Sequence, residues 1–320
     1  MPNVILFPGQ SSADPRALSR ARRAHPAAAQ VAAEAAAVLG AGDADRYLHA
    51  DTAPLATNRD VQIVVFVASQ MYLRALAEEG VAAETSLGLS LGEYSHLVHI
   101  GALDFASALA LVSERGRCYD EAPPGVMVTV LGADRDAVEQ VVAAGRAHGP
   151  VVVSNYNART QHVVAGAAGA VAWVAHELEE AHGAHTVEIE PRVPMHSPLM
   201  TGVAARLRRV LEAAPWMPPA FGYRPNVTAG SIPPRACRAD TFVALLERHV
   251  SEPVRWDASV DAVVAACPGA TFVEVGPGVV LHNLLGRAWR RVPRAHVDAP
   301  DGADPAAHFR RLLETLCARA

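Results

Sequence analysis

The chain has 320 residues, of which 51% are hydrophobic and 19% charged, a balance that excludes an intrinsically disordered protein and suffices for one large or two modest domains. Its 28 basic and 33 acidic residues give a net charge of −5, which argues against a general nucleic-acid-binding protein. The four cysteines show no C-x-x-C spacing, so we expect neither a metal site nor a disulfide framework.

The first residues predict a buried strand. Val4 to Phe7 form a short apolar run that Pro8-Gly9-Gln10 breaks, so backbone N–H groups are expected to point outward from the strand's end. This beginning has no basic n-region and does not resemble a signal peptide, and we expect no apolar run that approaches the roughly 18 residues of a membrane span. We therefore expect a cytoplasmic protein that does not associate with membranes.

Two helical stretches come next. Residues 14–39 are rich in alanine and are predicted to be helical, with a solvated face formed by Arg16, Arg20, Arg22 and Arg23. Residues 58–79 have an apolar helical pattern long enough for a core helix. Gln62 is the polar exception in that helix, and its side chain is expected either to cap or be solvated, or to face a functional site.

The stretch Gly88-Leu89-Ser90-Leu91-Gly92 fits the nucleophile elbow, in which a strand turns sharply into a helix and exposes a serine hydroxyl. Side chains in place of the two glycines would crowd the turn. A helix over residues 91–99 would direct its free N–H groups and its positive dipole end at an oxyanion formed on Ser90. The pentapeptide alone is equally consistent with a structural turn.

The pattern changes after a helix at residues 105–119 that carries Arg115. From 125 to 190 the predicted order is strand, helix, strand, strand, helix, strand, which is typical of ferredoxin-like modules. The fold prediction is therefore α/β: a large α/β-hydrolase-like domain (residues 1–124 and 191–320) with an inserted small ferredoxin-like domain (residues 125–190). Further strands of the large domain are predicted at residues 220–223 and 271–275, with helices after Gly278.

A nucleophilic serine needs a base, and the chain has 14 histidines. Most of them lie in predicted helices or at the surface, but His196 lies where the chain leaves the small domain and re-enters the large one. Such a junction can face a cleft between domains. No Asp or Glu stands out as a third member of a triad, so the group that orients the base is left open and could be a backbone carbonyl.

Six motifs follow one another along nearly the whole chain: Phe7-Pro8-Gly9-Gln10, Gly88-Leu89-Ser90-Leu91-Gly92-Glu93-Tyr94, Glu114-Arg115-Gly116-Arg117, Ser154-Asn155-Tyr156-Asn157, Met195-His196-Ser197-Pro198-Leu199-Met200 and Glu274-Val275-Gly276-Pro277-Gly278. In this order and spacing the chain resembles the malonyl-CoA:acyl carrier protein transacylase family. That family includes the acyltransferase domains and free-standing acyltransferases of polyketide synthases.

The resemblance implies a role for each matching residue. Ser90 would be the nucleophile that carries the acyl group, and His196 would be its base. The backbone N–H groups of Gln10 and Leu91 would form the oxyanion hole. Arg115 would pair with the free carboxylate of a malonyl-type acyl group, since a guanidinium binds a carboxylate bidentately.

Several positions depart from the family's pattern. Leu89 stands where the family usually has histidine, and Met195 precedes the catalytic histidine where Phe or Ser is common, so the pocket wall is expected to differ. His249 stands where glutamine is usual, in a stretch whose backbone carbonyl orients the base in the family; the carbonyl survives this change. Together with Gln62, Leu89 and Met195 are our candidates for contact with the acyl group.

The resemblance predicts transfer of a malonyl or related dicarboxylic group from coenzyme A to the phosphopantetheine thiol of an acyl carrier protein, in polyketide or fatty acid biosynthesis. Both thioesters are substrates, and no cofactor is bound permanently. The carrier protein and acyl-CoA are the expected partners. Arg159 and Arg192 at the cleft rim are candidates for carrier contacts or are ordinary surface arginines. Two alternatives stay open: a transferase that moves an aminoacyl or peptidyl group between carrier proteins, and an editing hydrolase.

Overall fold

Two four-stranded sheets and the helices around them make up residues 2–317, the part of the chain that the computed structural model describes. The first half contains β1 Asn3–Phe7, α1 Ala17–Ala24, α2 Ala28–Leu39, α3 Ala41–Ala44, α4 Asn58–Glu78, β2 Thr85–Gly88, α5 Gly92–His99, α6 Phe105–Asp120, β3 Val126–Leu131, α7 Arg135–Gly145 and β4 Val151–Ala158. The second half contains β5 Gln161–Gly166, α8 Ala168–His182, β6 His185–Glu190, α9 Thr201–Glu212, α10 Ala239–Ser251, α11 Trp256–Ala266, β7 Thr271–Glu274, α12 Val280–Ala288, β8 Arg294–His296 and α13 Pro305–Cys317.

The first sheet is entirely parallel, in the order β2-β1-β7-β8. Helices cover both of its faces, so β1, one of its two central strands, is a continuous apolar run from Val4 to Phe7. Successive side chains of β1 point to opposite faces. Ile5 and Phe7 pack in the core that contains α4, whereas Val4 and Leu6 pack in a second cluster with Trp256. The carboxyl ends of β1 and β2 lead directly into the candidate site.

The second sheet is antiparallel, in the order β4-β5-β3-β6. Its element order, strand-helix-strand-strand-helix-strand from Val126 to Glu190, is the predicted one. One face buries Val128, Val130 and Val164 against α7 and α8. The opposite face, which includes Thr129 and Val163, lines a cleft that also contains Ser90.

Strand β4 changes the face that its side chains cover. Val151 and Val153 belong to the core under α7 and α8, and an alternating strand would place Asn155 on that same face. The register with β5 shifts between Val153 and Asn155 and again between Tyr156 and Ala158. Such bulges re-aim side chains. As a result Asn155 and Asn157 line the cleft.

The predicted single helix over residues 14–39 is wrong in two respects. It is two helices, α1 and α2, because Pro26 lies at the junction and its ring is incompatible with a helix interior. The solvated arginine face is wrong for Arg20, which is buried and donates two hydrogen bonds to Asp298, at 3.0 and 2.7 Å. Arg16 remains exposed, as predicted.

Helix α4 is the long core helix that its pattern predicted. It is also long and apolar enough to cross a membrane by length and composition, so the expectation of no such run is wrong. Within the protein, 78% of its most apolar 18-residue window is buried against other elements. Helix α4 is therefore accounted for as the centre of the large core, with Ile63, Phe66 and Met71 fully buried.

The strand predicted at residues 220–223 is absent from the described structure. Only a single bridge joins Tyr223 to Ile232 there, because neighbouring prolines such as Pro219 and Pro225 have no N–H group for a ladder. The strand predicted at 271–275 is β7. Strand β8 and helices α9, α10 and α11 had no specific prediction; β8 has only three residues and little periodicity to recognise.

Candidate active site

Ser90 lies on a sharp turn between β2, which ends at Gly88, and α5, which begins at Gly92. The backbone of Ser90 is left-handed, with φ of 50°, which is strained for a residue with a side chain. A Cβ on Gly88 would overlap the backbone of Gly92, and one on Gly92 would overlap the carbonyl of Phe7. Glycine is therefore required at both positions for strand and helix to approach this closely.

The hydroxyl of Ser90 lies 2.8 Å from Nε2 of His196. On the other side of the ring, Nδ1 of His196 lies 2.6 Å from the backbone carbonyl of His249. A carbonyl can only accept, so Nδ1 carries the proton and Nε2 has a free lone pair for the serine O–H. The backbone N–H of His196 also donates to the carbonyl of Val250, at 3.1 Å, so one segment holds both the ring and the main chain of His196.

His196 is buried, with 2% of its surface exposed, and burial lowers its pKa to about 3. The positive charge of Arg115 lowers this pKa further, while the hydrogen bond to His249 opposes the shift. The imidazole is therefore neutral at pH 7. A neutral ring that accepts from a serine hydroxyl is the state that a general base requires.

Two backbone N–H groups flank the turn. Gln10 begins a short 3₁₀ turn directly after Pro8-Gly9, and Leu91 is the N-cap residue of α5. Within residues 2–317 neither N–H has a hydrogen-bond acceptor. Gln10 lines the same cleft as Ser90. The resemblance names these two N–H groups as the oxyanion donors, and that role stays a prediction.

A cleft of about 410 Å³ opens above Ser90 and His196. The large α/β part contributes Leu89, Met195 and Val61, and the second sheet contributes the polar side chains of Thr129, Asn155, Asn157 and Gln161. Leu89 and Met195 thus lie where the sequence placed them, in the wall of the cleft. The Oδ1 atom of Asn157 is buried and has no hydrogen-bond partner among the described residues.

Arg115 is almost fully buried, with 1% of its surface exposed, and lies in the middle of α6. Its guanidinium carbon is 4.3 Å from the ring centre of Tyr119 and 5.6 Å from that of Tyr94. Both terminal nitrogens lack a hydrogen-bond partner in the described part of the chain. A buried cation without an acceptor is costly, so this guanidinium fits an anionic group that arrives with a ligand.

Gln62 does not line the cleft. Its side chain is fully buried, and its Nε2 lies 3.5 Å from Oε1 of Gln10, at the outer limit for a hydrogen bond. The alternative in which Gln62 is solvated is therefore wrong. Its Oε1 is buried without a partner within residues 2–317, next to the loop that carries the Gln10 N–H group.

Neither Arg159 nor Arg192, the two arginines predicted at the cleft rim, is among the residues that line the cleft. Arg192 donates to the carbonyl of Ala56, at 3.3 Å. Arg159 lines a neighbouring groove, and Arg287 lines both that groove and the cleft above Ser90. Arg287 was not singled out from the sequence.

Sequence reasoning also missed Asn226. Its Oδ1 accepts from the N–H of Ser90 at 2.9 Å, and its Nδ2 donates to the carbonyl of Gly88 at 2.7 Å. The only signal in the sequence is an asparagine in a proline-rich loop, after Pro225. Nothing in periodicity connects this loop with a turn more than 130 residues earlier.

Comparison with known proteins decides the family. The family model described as "Acyl transferase domain" matches residues 24–309. The chain belongs to the acyl transferase family. This acyltransferase is 33% identical over 303 residues to the malonyl CoA-acyl carrier protein transacylase of Bacillus subtilis (strain 168), in an alignment that covers 93% of the chain and 94% of that relative.

Solved structures agree with this assignment. The acyltransferase is similar to the malonyl-transacylase in a complex with its type II PKS acyl-carrier protein, with a TM-score of 0.88, 29% identity, and coverage of 98% of this chain and 100% of that one. The similarity to MCAT from Streptococcus pneumoniae has a TM-score of 0.87 and 29% identity, and covers 98% of this chain and 99% of that one. The fold is therefore mixed α/β with two sheets, as in these neighbours.

Proposed function

We propose that this acyltransferase moves a malonyl or related dicarboxylic acyl group from coenzyme A to the phosphopantetheine thiol of an acyl carrier protein, through an acyl-Ser90 intermediate. The observation that carries the proposal is the buried guanidinium of Arg115, whose two terminal nitrogens have no acceptor in the described chain. Arg115 is not among the residues that line the cleft above Ser90, but its positive charge is close enough to lower the pKa of His196. A free carboxylate on the acyl group supplies the missing acceptor bidentately.

The first half-reaction follows from the hydrogen bonds around Ser90. Nε2 of His196 takes the proton from Oγ as Oγ attacks the thioester carbonyl, and the N–H groups of Gln10 and Leu91 stabilise the oxyanion. The C–S bond then breaks, and His196 passes its proton to the sulfur of coenzyme A. The products are acyl-Ser90 and the free thiol.

The second half-reaction reverses these roles. Nε2 of His196 removes the proton from the phosphopantetheine thiol, and the sulfur attacks the ester carbon of acyl-Ser90. The bond from this carbon to Oγ breaks, and the proton returns to Oγ. The hydrogen bond from Nδ1 to the carbonyl of His249 keeps Nε2 available in both halves, because it fixes the tautomer.

The residues that line the cleft support binding of a linear, amide-containing arm that bears the thioester. Thr129, Asn155, Asn157 and Gln161 present amide and hydroxyl groups on one face of the second sheet, and Oδ1 of Asn157 has no donor within residues 2–317. The phosphopantetheine arm contains two amide groups, which both donate and accept hydrogen bonds. Coenzyme A and a carrier protein share this arm, so one cleft can serve both half-reactions.

The relatives support the biological setting of the proposal. Several relatives are named malonyl CoA-acyl carrier protein transacylases, and one structural neighbour is solved with its type II PKS acyl-carrier protein. We place this acyltransferase in fatty acid or polyketide biosynthesis, in the cytoplasm, with acyl-CoA and an acyl carrier protein as its partners.

The domain division belongs to the same proposal. We assign residues 125–190 to a small ferredoxin-like domain, which the antiparallel order β4-β5-β3-β6 and its two helices support. The parallel sheet takes strands from both sides of this insert, which supports a discontinuous α/β-hydrolase-like domain of residues 1–124 and 191–320. The elbow at the carboxyl end of β2 is consistent with that description.

Intact-protein mass spectrometry tests the proposal. The purified chain is incubated with malonyl-, methylmalonyl- and acetyl-CoA, then with a phosphopantetheinylated carrier protein, beside a Ser90→Ala control. We expect a malonyl adduct on the wild type only, followed by transfer to the carrier. An adduct that forms only with uncharged acyl groups would refute the assignment of Arg115. Free malonate that accumulates despite carrier protein would support the editing hydrolase, and loading only from another carrier would support the carrier-to-carrier transferase.

A further inference from the structure

Asn226 holds the nucleophile turn from outside. It is buried, and both ends of its amide are used: Oδ1 accepts from the Ser90 N–H at 2.9 Å, and Nδ2 donates to the Gly88 carbonyl at 2.7 Å. These two contacts flank the turn at Ser90, whose backbone φ is 50°. A strained conformation persists only when its surroundings hold it, and here the amide of Asn226 fixes the peptide groups on both sides of Leu89.

Glu93 connects this clamp to the other half of the site. Its carboxylate is fully buried in the first turn of α5, where Oε2 accepts from the backbone N–H of Asn226 at 3.2 Å and Oε1 accepts from the hydroxyl of Tyr223. The same Oε2 lies 3.0 Å from Nδ1 of His249. His249 in turn supplies the carbonyl that accepts from the ring of His196.

Together these contacts form a closed network. Ser90 Oγ contacts the imidazole of His196, which contacts the His249 carbonyl. The His249 side chain contacts Glu93, and Glu93 accepts from the Asn226 N–H. The Asn226 side chain accepts from the Ser90 N–H and so closes the network. We infer that Asn226 and Glu93 are positioning residues that fix the nucleophile and its base relative to each other. This inference deepens the proposed function and rests on it for the roles of Ser90 and His196.

This closed network explains how the base is oriented although no carboxylate contacts it directly. In a Ser-His-Asp triad the carboxylate orients the imidazole directly. Here the carboxylate of Glu93 contacts the side chain of the residue whose main chain orients His196. The rings of His196 and His249 are stacked, with centres 4.8 Å apart and planes 20° apart, so movement of one is coupled to the other. Errors of about 1 Å in such geometry cost about 10²-fold in rate.

Glu93 also gives the inference a pH signature. Burial raises its pKa to about 7, while Tyr223, Asn226 and Arg115 oppose that shift. Burial lowers the pKa of His249 well below its usual value, so the Glu93–His249 contact is not a fully charged ion pair. A protonated Glu93 has one oxygen that carries a proton, so its carboxyl group can no longer accept hydrogen bonds from Tyr223, Asn226 and His249 simultaneously. The acylation rate should therefore fall as pH drops through about 7, far above the pKa of about 3 for His196.

The test compares Asn226→Ala, Asn226→Asp and Glu93→Gln with the wild type in two assays. The first is the rate of Ser90 labelling by a fluorophosphonate probe, and the second is single-turnover acylation by malonyl-CoA. Both rates are divided by the folded fraction from a urea melt, so a destabilised variant still gives a value. Asn226→Asp keeps an acceptor for the Ser90 N–H but sets an oxygen against the Gly88 carbonyl, so it isolates the second contact.

We expect both Asn226 variants to lower each rate by about 10- to 100-fold, with KM for malonyl-CoA changed by less than about twofold. In Glu93→Gln the rate loss between pH 8 and 6, about threefold or more in the wild type, should disappear. The control Glu274→Gln changes another fully buried carboxylate, which accepts from the N–H groups of Leu281 and His282, and should keep the wild-type pH profile.

Two results would overturn the inference. The first is wild-type labelling, within about twofold per folded molecule, in both Asn226 variants. The second is an unchanged pH profile in Glu93→Gln. The probe separates this inference from the proposed function, because it reports the reactivity of Ser90 with any electrophile. If malonyl-CoA fails to acylate the wild type while the Asn226 variants lose probe labelling, the proposed substrate is wrong and the positioning roles stand.

Discussion

Ser90 and His196 both have left-handed backbones, with φ of 50° and 58°, and their side chains meet at 2.8 Å. Of the non-glycine residues in the described chain only one other, Ala229, has positive φ. Such conformations cost about 1–3 kcal/mol each, so the protein stores strain at both partners of one hydrogen bond. The strain lowers the stability of the fold but places the two side chains in contact, and its energy can be measured.

Replacing Ser90 with glycine should release the strain and remove the hydroxyl together. We expect Ser90→Gly to have a free energy of unfolding about 1 kcal/mol higher than that of Ser90→Ala, because only glycine is unstrained at this φ. Neither variant should form an acyl-enzyme. Urea denaturation of the two variants measures the difference in their free energies of unfolding. Because both variants lack the hydroxyl, its loss does not contribute to this difference. Equal stabilities would show that the turn is not strained.

Arg115 should determine the preference for acyl groups with a free carboxylate. Its terminal nitrogens have no partner within residues 2–317, so Arg115→Ala should lower kcat/KM for malonyl-CoA by about 10²-fold, the loss of a charged bidentate contact. The value for acetyl-CoA should change much less. Steady-state kinetics with both substrates measure the ratio. Arg117→Ala, on the same helix and exposed, is the matched control, and an equal loss for both substrates would contradict the assigned contact.

Gly92 should tolerate no side chain. A Cβ there would overlap the carbonyl of Phe7, and both partners are backbone, so Gly92→Ala should cost about 3 kcal/mol or more of stability. At Gly202 in α9 a Cβ would meet no atom within 4 Å, so Gly202→Ala should instead stabilise by about 0.4–1 kcal/mol. Thermal or urea melts of the two variants give the comparison. A Gly92→Ala protein of wild-type stability would show that β1 and α5 are not in close contact.

His99 should make the stability of the protein depend on acid pH. Burial lowers its pKa to about 4, and its Nδ1 lies 2.9 Å from the hydroxyl of Ser86. A depressed histidine pKa stabilises the fold above the unfolded value of about 6.5, and this contribution is lost as pH falls toward 4. The stability advantage of the wild type over His99→Asn, whose amide oxygen can still accept from Ser86, should therefore shrink by about 3 kcal/mol between pH 7 and 4.

Urea melts at several pH values measure this advantage. Other buried groups titrate in the same range, including Glu93, whose pKa burial raises to about 7, but they are common to both proteins and cancel in the difference. The exposed His185→Asn variant controls for the loss of an imidazole as such. A constant difference between pH 7 and 4 would show that His99 is not held in its neutral form.

The features that the sequence predicted well are local ones. The elbow can be predicted from five consecutive residues, because the steric requirement for glycine at positions 88 and 92 arises within one turn. The element order from Val126 to Glu190 was readable because each strand and helix has its own periodicity. The contact between Ser90 and His196 spans 106 residues, and the residues alone ranked His196 only by its place at a junction; the resemblance supplied the rest.

The features that the sequence did not reveal depend on distant partners. Arg20 looked like a surface residue because helix periodicity says nothing of Asp298, 278 residues later. Asn226 has no regular element around it, so its two contacts with the elbow could not be inferred from any pattern. The break between α1 and α2, by contrast, has a cause visible in the sequence, because Pro26 is incompatible with a helix interior even in an alanine-rich stretch.

The acceptor on Nδ1 of His196 is a peptide oxygen, and this has a consequence for how the protein can vary. A side-chain acceptor can be deleted by one substitution, whereas the carbonyl of residue 249 is present whatever side chain is attached to it. A substitution at position 249 therefore leaves the acceptor for His196 in place, whereas displacement of the end of α10 would move it. The side chain of His249 is free for a separate duty, here its contact with Glu93, while its main chain keeps the first one.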